Sequence, residues 1–150
     1  MAENVLGSQV TCQVALVVHD IEAACAAWAK ILGVEPPPWK LTAPADESHI
    51  RYHGKSTEAR AKLAFFDLGQ VNLEIIEPVG GPSIWQEYLD EHGQGLHHIA
   101  FMVKGMDEVI ARLEACDVPL VQKGDYTGGR YAYLDGRSSL AAILELLENL

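Results

Sequence analysis

Positive charge is scarce in this chain of 150 residues: 11 lysines and arginines stand against 21 aspartates and glutamates, a formal net charge of −10. An acidic surface repels phosphate backbones and anionic lipid, so neither a nucleic acid nor a membrane is an expected partner. Cysteine is sparse too. Cys12, Cys25 and Cys116 form an odd set with no CxxC pair, which excludes a disulfide framework and a zinc knuckle. Each reads as a small buried hydrophobe in a reducing compartment, and the expected location is the cytoplasm. No apolar run approaches the roughly 18–20 residues that span a bilayer, and Met1–Asn4 offers no basic stretch before an apolar one. What is present suits a packed interior: 49% of the residues are hydrophobic and only 21% charged. The length fits one compact domain, or two small modules sharing a core.

Thr11–Val18 is short, apolar and rich in β-branched residues, so it predicts a buried strand. Asp20 then caps a helix whose Ile21, Ala24, Cys25, Trp28 and Leu32 share a face, with Gly33 as the stop. Pro36-Pro37-Pro38 forbids further helix. From about Leu41 to Arg60 the chain is polar and without clear period. Such a stretch reads either as a substrate-facing lid or as disorder. Its Arg51 and Lys55, with Arg60 and Lys62, are either a solvated face or a binding site for a substrate carboxylate or phosphate. Ala61–Leu68 and Val71–Glu77, separated by Gly69-Gln70, predict a hairpin. Ser83 followed by Gln86 is a capping-box signature for a short helix ending near Gly93. Strands are then expected at Leu96–Val103, Leu120–Gln122, Arg130–Leu134 and Leu140–Leu147, with a helix over Met106–Cys116. Gly128-Gly129 is a plain turn or a backbone anion site.

The pattern repeats. QVALVV from Gln13 lies over HIAFMV from His98, and each segment opens a helix. LEIIE from Leu73 lies over LELLE from Leu144. Two matches in the same order indicate an internal duplication. The expected fold class is therefore α+β: two tandem βαβββ modules forming a cupped eight-stranded mixed sheet. Residues 1–150 are expected to make a single domain, with module one over about 9–78, a linker helix over about 83–92 and module two over about 95–148.

Side chains alternate across a strand, so Glu145 sits between Ile143 and Leu147 on an apolar face. A buried carboxylate without a partner is costly. A divalent cation held by Gln13, Glu74, His98 and Glu145 would partner both carboxylates at once. The repeat makes Gln13 equivalent to His98 and Glu74 equivalent to Glu145, so a pseudo-twofold axis would bring the four together. The bland alternatives are that Gln13 caps a sheet edge and that His98, like His97, is a hydrogen-bonded core histidine. Glu77 and Glu148, near strand ends, are expected to be solvated.

On GLHHIAF, ILELLE and these four positions, the chain resembles the vicinal oxygen chelate (glyoxalase/bleomycin resistance/dioxygenase) superfamily. It is nearest to glyoxalase I and methylmalonyl-CoA epimerase-like members. The resemblance spans about residues 9–148. It implies that Gln13, Glu74, His98 and Glu145 bind a divalent metal ion (Zn, Ni, Co, Mn or Mg), with His98 rather than His97 as the histidine ligand. It implies a lyase or isomerase that moves a proton next to a carbonyl through a metal-chelated enediolate, with Glu145 or Glu74 as the base. The expected partner is a small carbonyl or thioester substrate, and the expected assembly a homodimer. The alternative is a non-catalytic protein of the same fold that sequesters a drug or metabolite. The epimerase pattern carries a second catalytic glutamate where the register here puts Leu63, which weighs against that exact activity; Glu58 is a distant candidate for the role.

Overall fold

The computed structural model describes residues 3–150. The first strand, β1 (Gln13–Val17), alternates buried and half-buried residues and leads into α1 (Ile21–Leu32). Asp20 caps that helix by accepting a hydrogen bond from Ala23 N at 3.1 Å, and Gly33 ends it at φ 69°. Its buried side is Ile21, Cys25 and Ala29. The same succession recurs in β7 (Gly95–Met102) and α4 (Met106–Ala115), the latter burying Met106, Val109, Ile110 and Leu113.

The intended hairpin forms: β5 (Arg60–Asp67) runs antiparallel to β6 (Asn72–Val79), closing between Asp67 and Asn72. In the second half β8 (Leu120–Tyr126), β9 (Gly129–Gly136) and β10 (Ala142–Asn149) form the equivalent meander. Gly128, at φ 84°, makes the turn between β8 and β9. Between the halves lies α3 (Ile84–His92), whose Gln86 N donates to Ser83 Oγ at 3.0 Å. The reciprocal half of the capping box is replaced: the Gln86 side chain donates to Asp90 instead.

The polar stretch after α1 is ordered, and here the structure departs from expectation. It contains β2 (Lys40–Leu41), a single turn α2 (Ala45–Ser48), β3 (Arg51–Tyr52) and β4 (Lys55–Ser56). His53 and Gly54, at φ 51° and 76°, form a two-residue turn of the handedness that matches strand twist. The sheet thus has ten strands rather than eight, in the order β2-β5-β6-β1-β7-β10-β9-β8-β3-β4. Without the β3–β4 hairpin, the order reads outward in mirrored fashion from the β1–β7 seam. The hairpin belongs to the first half of the sequence yet pairs with β8 of the second, covering that edge.

Three apolar clusters hold this sheet. One packs α1 on the outer face of the first half through Ile21, Cys25, Phe66, Leu73 and Ile75. A second packs α4 on the outer face of the second half through Met106, Ile110, Leu134, Leu144 and Leu146. The third fills the concave side: Ala15, Val17, Ile76 and Ile143 from the sheet meet Ile84 and Trp85 of α3 and Ile50 of the crossing stretch. Among the described residues, no helix is long and apolar enough to cross a membrane.

Candidate metal centre

Both sheet faces are apolar, yet Gln13, Glu74, His98 and Glu145 are all buried, at 7, 5, 3 and 5% exposure. Each lies on a central strand, and alternation turns each toward the concave side. Outward-facing neighbours such as Leu73, Ile75, Leu144 and Leu146 belong to the helix-covered clusters. Register then brings the four together. Parallel pairing sets β1 beside β6 and β7 beside β10, and antiparallel pairing joins β1 to β7. His98 Nε2 lies 3.0 Å from Gln13 Oε1, 2.5 Å from Glu145 Oε2 and 3.6 Å from Glu74 Oε1. All four come from one chain.

The donor set fits a cation. Glu74 Oε1 and Glu145 Oε2 are buried and accept no hydrogen bond. Glu74, His98 and Glu145 each offer a ligand atom within 4.8 Å of the others. Burial raises the Glu74 carboxyl well above its ordinary value, and the charge of Glu145 raises it further. Burial also raises Glu145, opposed in part by the Tyr133 hydroxyl. The same desolvation lowers His98 to about 3. The protein's own atoms therefore disfavour every charged form here, and a bound cation would reverse that balance.

The surroundings are aromatic. Tyr133 faces Glu145 across β9 and β10, and its hydroxyl accepts from Trp85 Nε1 at 3.0 Å. His98 packs against the Tyr133 ring with centroids 4.9 Å apart. Tyr131, two residues away and on the same face, receives a hydrogen bond from Gln122 Nε2. The period-two pair Tyr131/Tyr133 was the sequence signal for this wall, on a strand whose partner carries Glu145.

His97 is also inside. A bulge in β7 pairs Ala15 with His98 but Leu16 with Leu96, leaving His97 as the extra residue. Both imidazoles are consequently buried, at 3% each. Simple alternation gives no sign of this, because a bulge resets the face.

The remaining expected positions lie elsewhere. Glu58 is exposed just before β5, and Leu63 is half-buried against the concave cluster. Lys62 pairs with Glu77 at 3.2 Å, Arg60 donates to the Thr42 carbonyl, and Arg51 and Lys55 lie exposed on the edge hairpin. Glu77 and Glu148 are not solvated. Glu77 accepts from Ile21 N at 2.9 Å, and Glu148 accepts from Gly105 N at 2.6 Å while pairing with Arg130 at 2.7 Å. Each closes its half by receiving the N-terminus of that half's helix, where free N–H groups favour an anion.

A family model described as Glyoxalase/Bleomycin resistance protein/Dioxygenase superfamily matches residues 12–133. The chain belongs to this superfamily. The Bacillus subtilis uncharacterized protein YqjC is 34% identical over 94 residues, spanning 61% of this chain and 67% of that protein. Among solved structures, methylmalonyl-CoA epimerase from Mycobacterium tuberculosis superimposes with a TM-score of 0.67 at 19% identity, covering 100% of this chain and 93% of that one. A hypothetical protein from Bacillus halodurans C-125 gives 0.65 at 20% identity, covering 93% and 94%. A methylmalonyl-CoA epimerase in complex with methylmalonyl-CoA and NH4+ gives 0.64 at 20% identity, over the same 93% and 94%. These likenesses show the fold, and this chain's own side chains place a candidate Glu-His-Glu cluster in its cup.

Proposed function

We propose that this superfamily member is a metal-dependent lyase or isomerase that moves a proton at the carbon next to a carbonyl. The observation that carries the reading is the pair of buried carboxylate oxygens, Glu74 Oε1 and Glu145 Oε2, left without donors beside His98 Nε2. Gln13, Glu74, His98 and Glu145 would hold the ion. One nitrogen and three oxygen donors suit a six-coordinate divalent ion such as Zn, Ni, Co, Mn or Mg. When bound, it supplies Lewis acidity toward adjacent substrate oxygens and stabilises the charge that develops as the proton leaves.

The chain's own residues supply the rest. Glu145 is the first candidate for the base: it stands on β10, one strand from the β1–β7 seam, with Tyr133 beside it on β9. Glu74 is the second. One end of the cup, across both halves of the sheet, is filled by Trp85, Ile84 and Ile50, which excludes water from that end. The other end carries exposed side chains on the same concave face. Phe65 stands opposite Glu74 at 45% exposure and Met102 opposite Leu147 at 40%, so the substrate approaches over these two. An apolar approach over a polar floor suits a small carbonyl or thioester compound.

Solvent-deuterium exchange tests this directly. Metal-loaded protein is incubated in D2O with candidate hemithioacetals and acyl thioesters, and deuterium at the α-carbon is read by mass spectrometry. The expected result is exchange by the native protein and a loss of about 10²–10⁴-fold in Glu145→Gln. Tight binding of such compounds with no exchange on any of them would instead indicate a sequestering protein.

A further inference from the structure

The β7 bulge gives His97 a use beyond packing. Its Nε2 lies 3.2 Å from the Ile84 carbonyl oxygen, which can only accept, so that nitrogen carries a proton. Its Nδ1 lies 2.8 Å from Nδ1 of His98, a contact that requires one proton between the two rings. An uncharged His97 has already placed its single proton on Nε2. The shared proton therefore belongs to His98 Nδ1, and His98 Nε2 is left with a lone pair. That lone pair faces Gln13 Oε1, Glu145 Oε2 and Glu74 Oε1. With both carboxyls ionised, four acceptors converge, an arrangement that a cation satisfies.

We propose that His97 is a positioning residue: it relays the Ile84 carbonyl of α3 to His98 and fixes the tautomer that turns Nε2 toward the metal. The ring is held for this task. It packs edge-on against Tyr88 with centroids 5.4 Å apart and edge-on against Tyr133 at 5.6 Å. Its role rests on the metal reading above, but the tautomer itself does not. A metal-ligating histidine commonly donates its other ring N–H to an acceptor that orients it, usually a carboxylate or carbonyl. Here the acceptor is a second imidazole, oriented in turn by a helix carbonyl.

The test uses 15N-labelled, metal-free protein and long-range 1H–15N spectra of the imidazoles, with His98 assigned through the signals missing in His98→Gln. The native protein should show His98 protonated at Nδ1. His97→Asn places an amide oxygen near the Nδ1 position. It should keep that tautomer and a zinc affinity within about 3-fold of native. His97→Leu removes the acceptor, so it should move the His98 proton to Nε2 and weaken zinc binding by about 10–100-fold. An Nε2-protonated His98 in the native protein overturns the proposal. So does a folded His97→Leu with native tautomer and native affinity. If the native protein binds no zinc yet shows the Nδ1 tautomer, lost in His97→Leu, the relay stands and the metal reading falls. If His97→Leu does not fold, the native spectrum together with His97→Asn decides.

Discussion

Glu74 and Glu145 occupy corresponding places in the two LExxE segments, and each faces a concave surface where an unpartnered carboxylate is costly. Glutamine at position 145 keeps the shape and one oxygen ligand but removes the base. Glu145→Gln should therefore lose about 10²–10⁴-fold in turnover, with metal content and Tm falling far less; inductively coupled plasma analysis and calorimetry beside the rate check this. A second cluster sets the acid limb of stability. Arg137 bonds Asp135 at 2.9 Å and Glu87 at 3.0 Å, and Tyr52 donates to Glu87 at 2.6 Å. The Arg137 bonds hold Asp135 below its ordinary value. Burial pushes Glu87 up, but the Tyr52 and Arg137 bonds outweigh it and the carboxyl ends lower than usual. Both folded values lie below the unfolded ones. Their contribution is thus complete above the ordinary carboxylate range near about 4 and is lost as pH falls through the folded values. Arg137→Leu should lower Tm at pH 7 and flatten its decline below about pH 4; an unchanged acid limb would assign that decline to other carboxylates.

At the scale of elements, β1, α1, the β5–β6 hairpin, β7 and α4 were legible because each is short, bounded by a cap or turn residue and regular in period. Asp20 shows how local that signal is. It caps α1 through Ala23 N, while Glu77 of β6 takes the neighbouring Ile21 N. Asp20→Ala should cost about 0.5–2 kcal/mol by losing the cap, read as a fall in the urea midpoint with an unchanged slope. What was not legible has long-range causes. The β3–β4 hairpin is only two residues deep on each strand and exists because β8 offers an edge. Its turn, His53-Gly54, lacks the Asn-Gly signature that would mark it. The capping role of Glu148 depends on Gly105, 43 residues earlier in the chain. His97 was hidden by a bulge, which no alternation rule anticipates. The four converging side chains, by contrast, were legible as a set, because the repeat makes them equivalent in pairs and the fold places the equivalents at one seam.

Over the whole molecule, the two halves meet edge to edge through β1 and β7 and continue into one sheet. The concave side is therefore a single surface, closed at one end by α3 and the stretch that crosses before it. Leu63, half-buried against the concave cluster, is the residue that the register read from the sequence sets against the second glutamate of the epimerase pattern. Methylmalonyl-CoA epimerisation by the purified protein is accordingly expected to be weak or absent, checked by deuterium wash-in at the α-carbon; rapid epimerisation would show that a residue other than Leu63 supplies that second proton transfer. The central claim is the metal centre itself. Its most direct test is calorimetric titration of chelator-stripped protein with Zn, Ni, Co, Mn and Mg ions, beside His98→Ala and Glu74→Ala. The account predicts saturation at about one ion per chain for at least one of these metals, with a rise in Tm, and loss of both effects in the two variants. No saturable binding of any of the five, or binding unchanged by both substitutions, would contradict it.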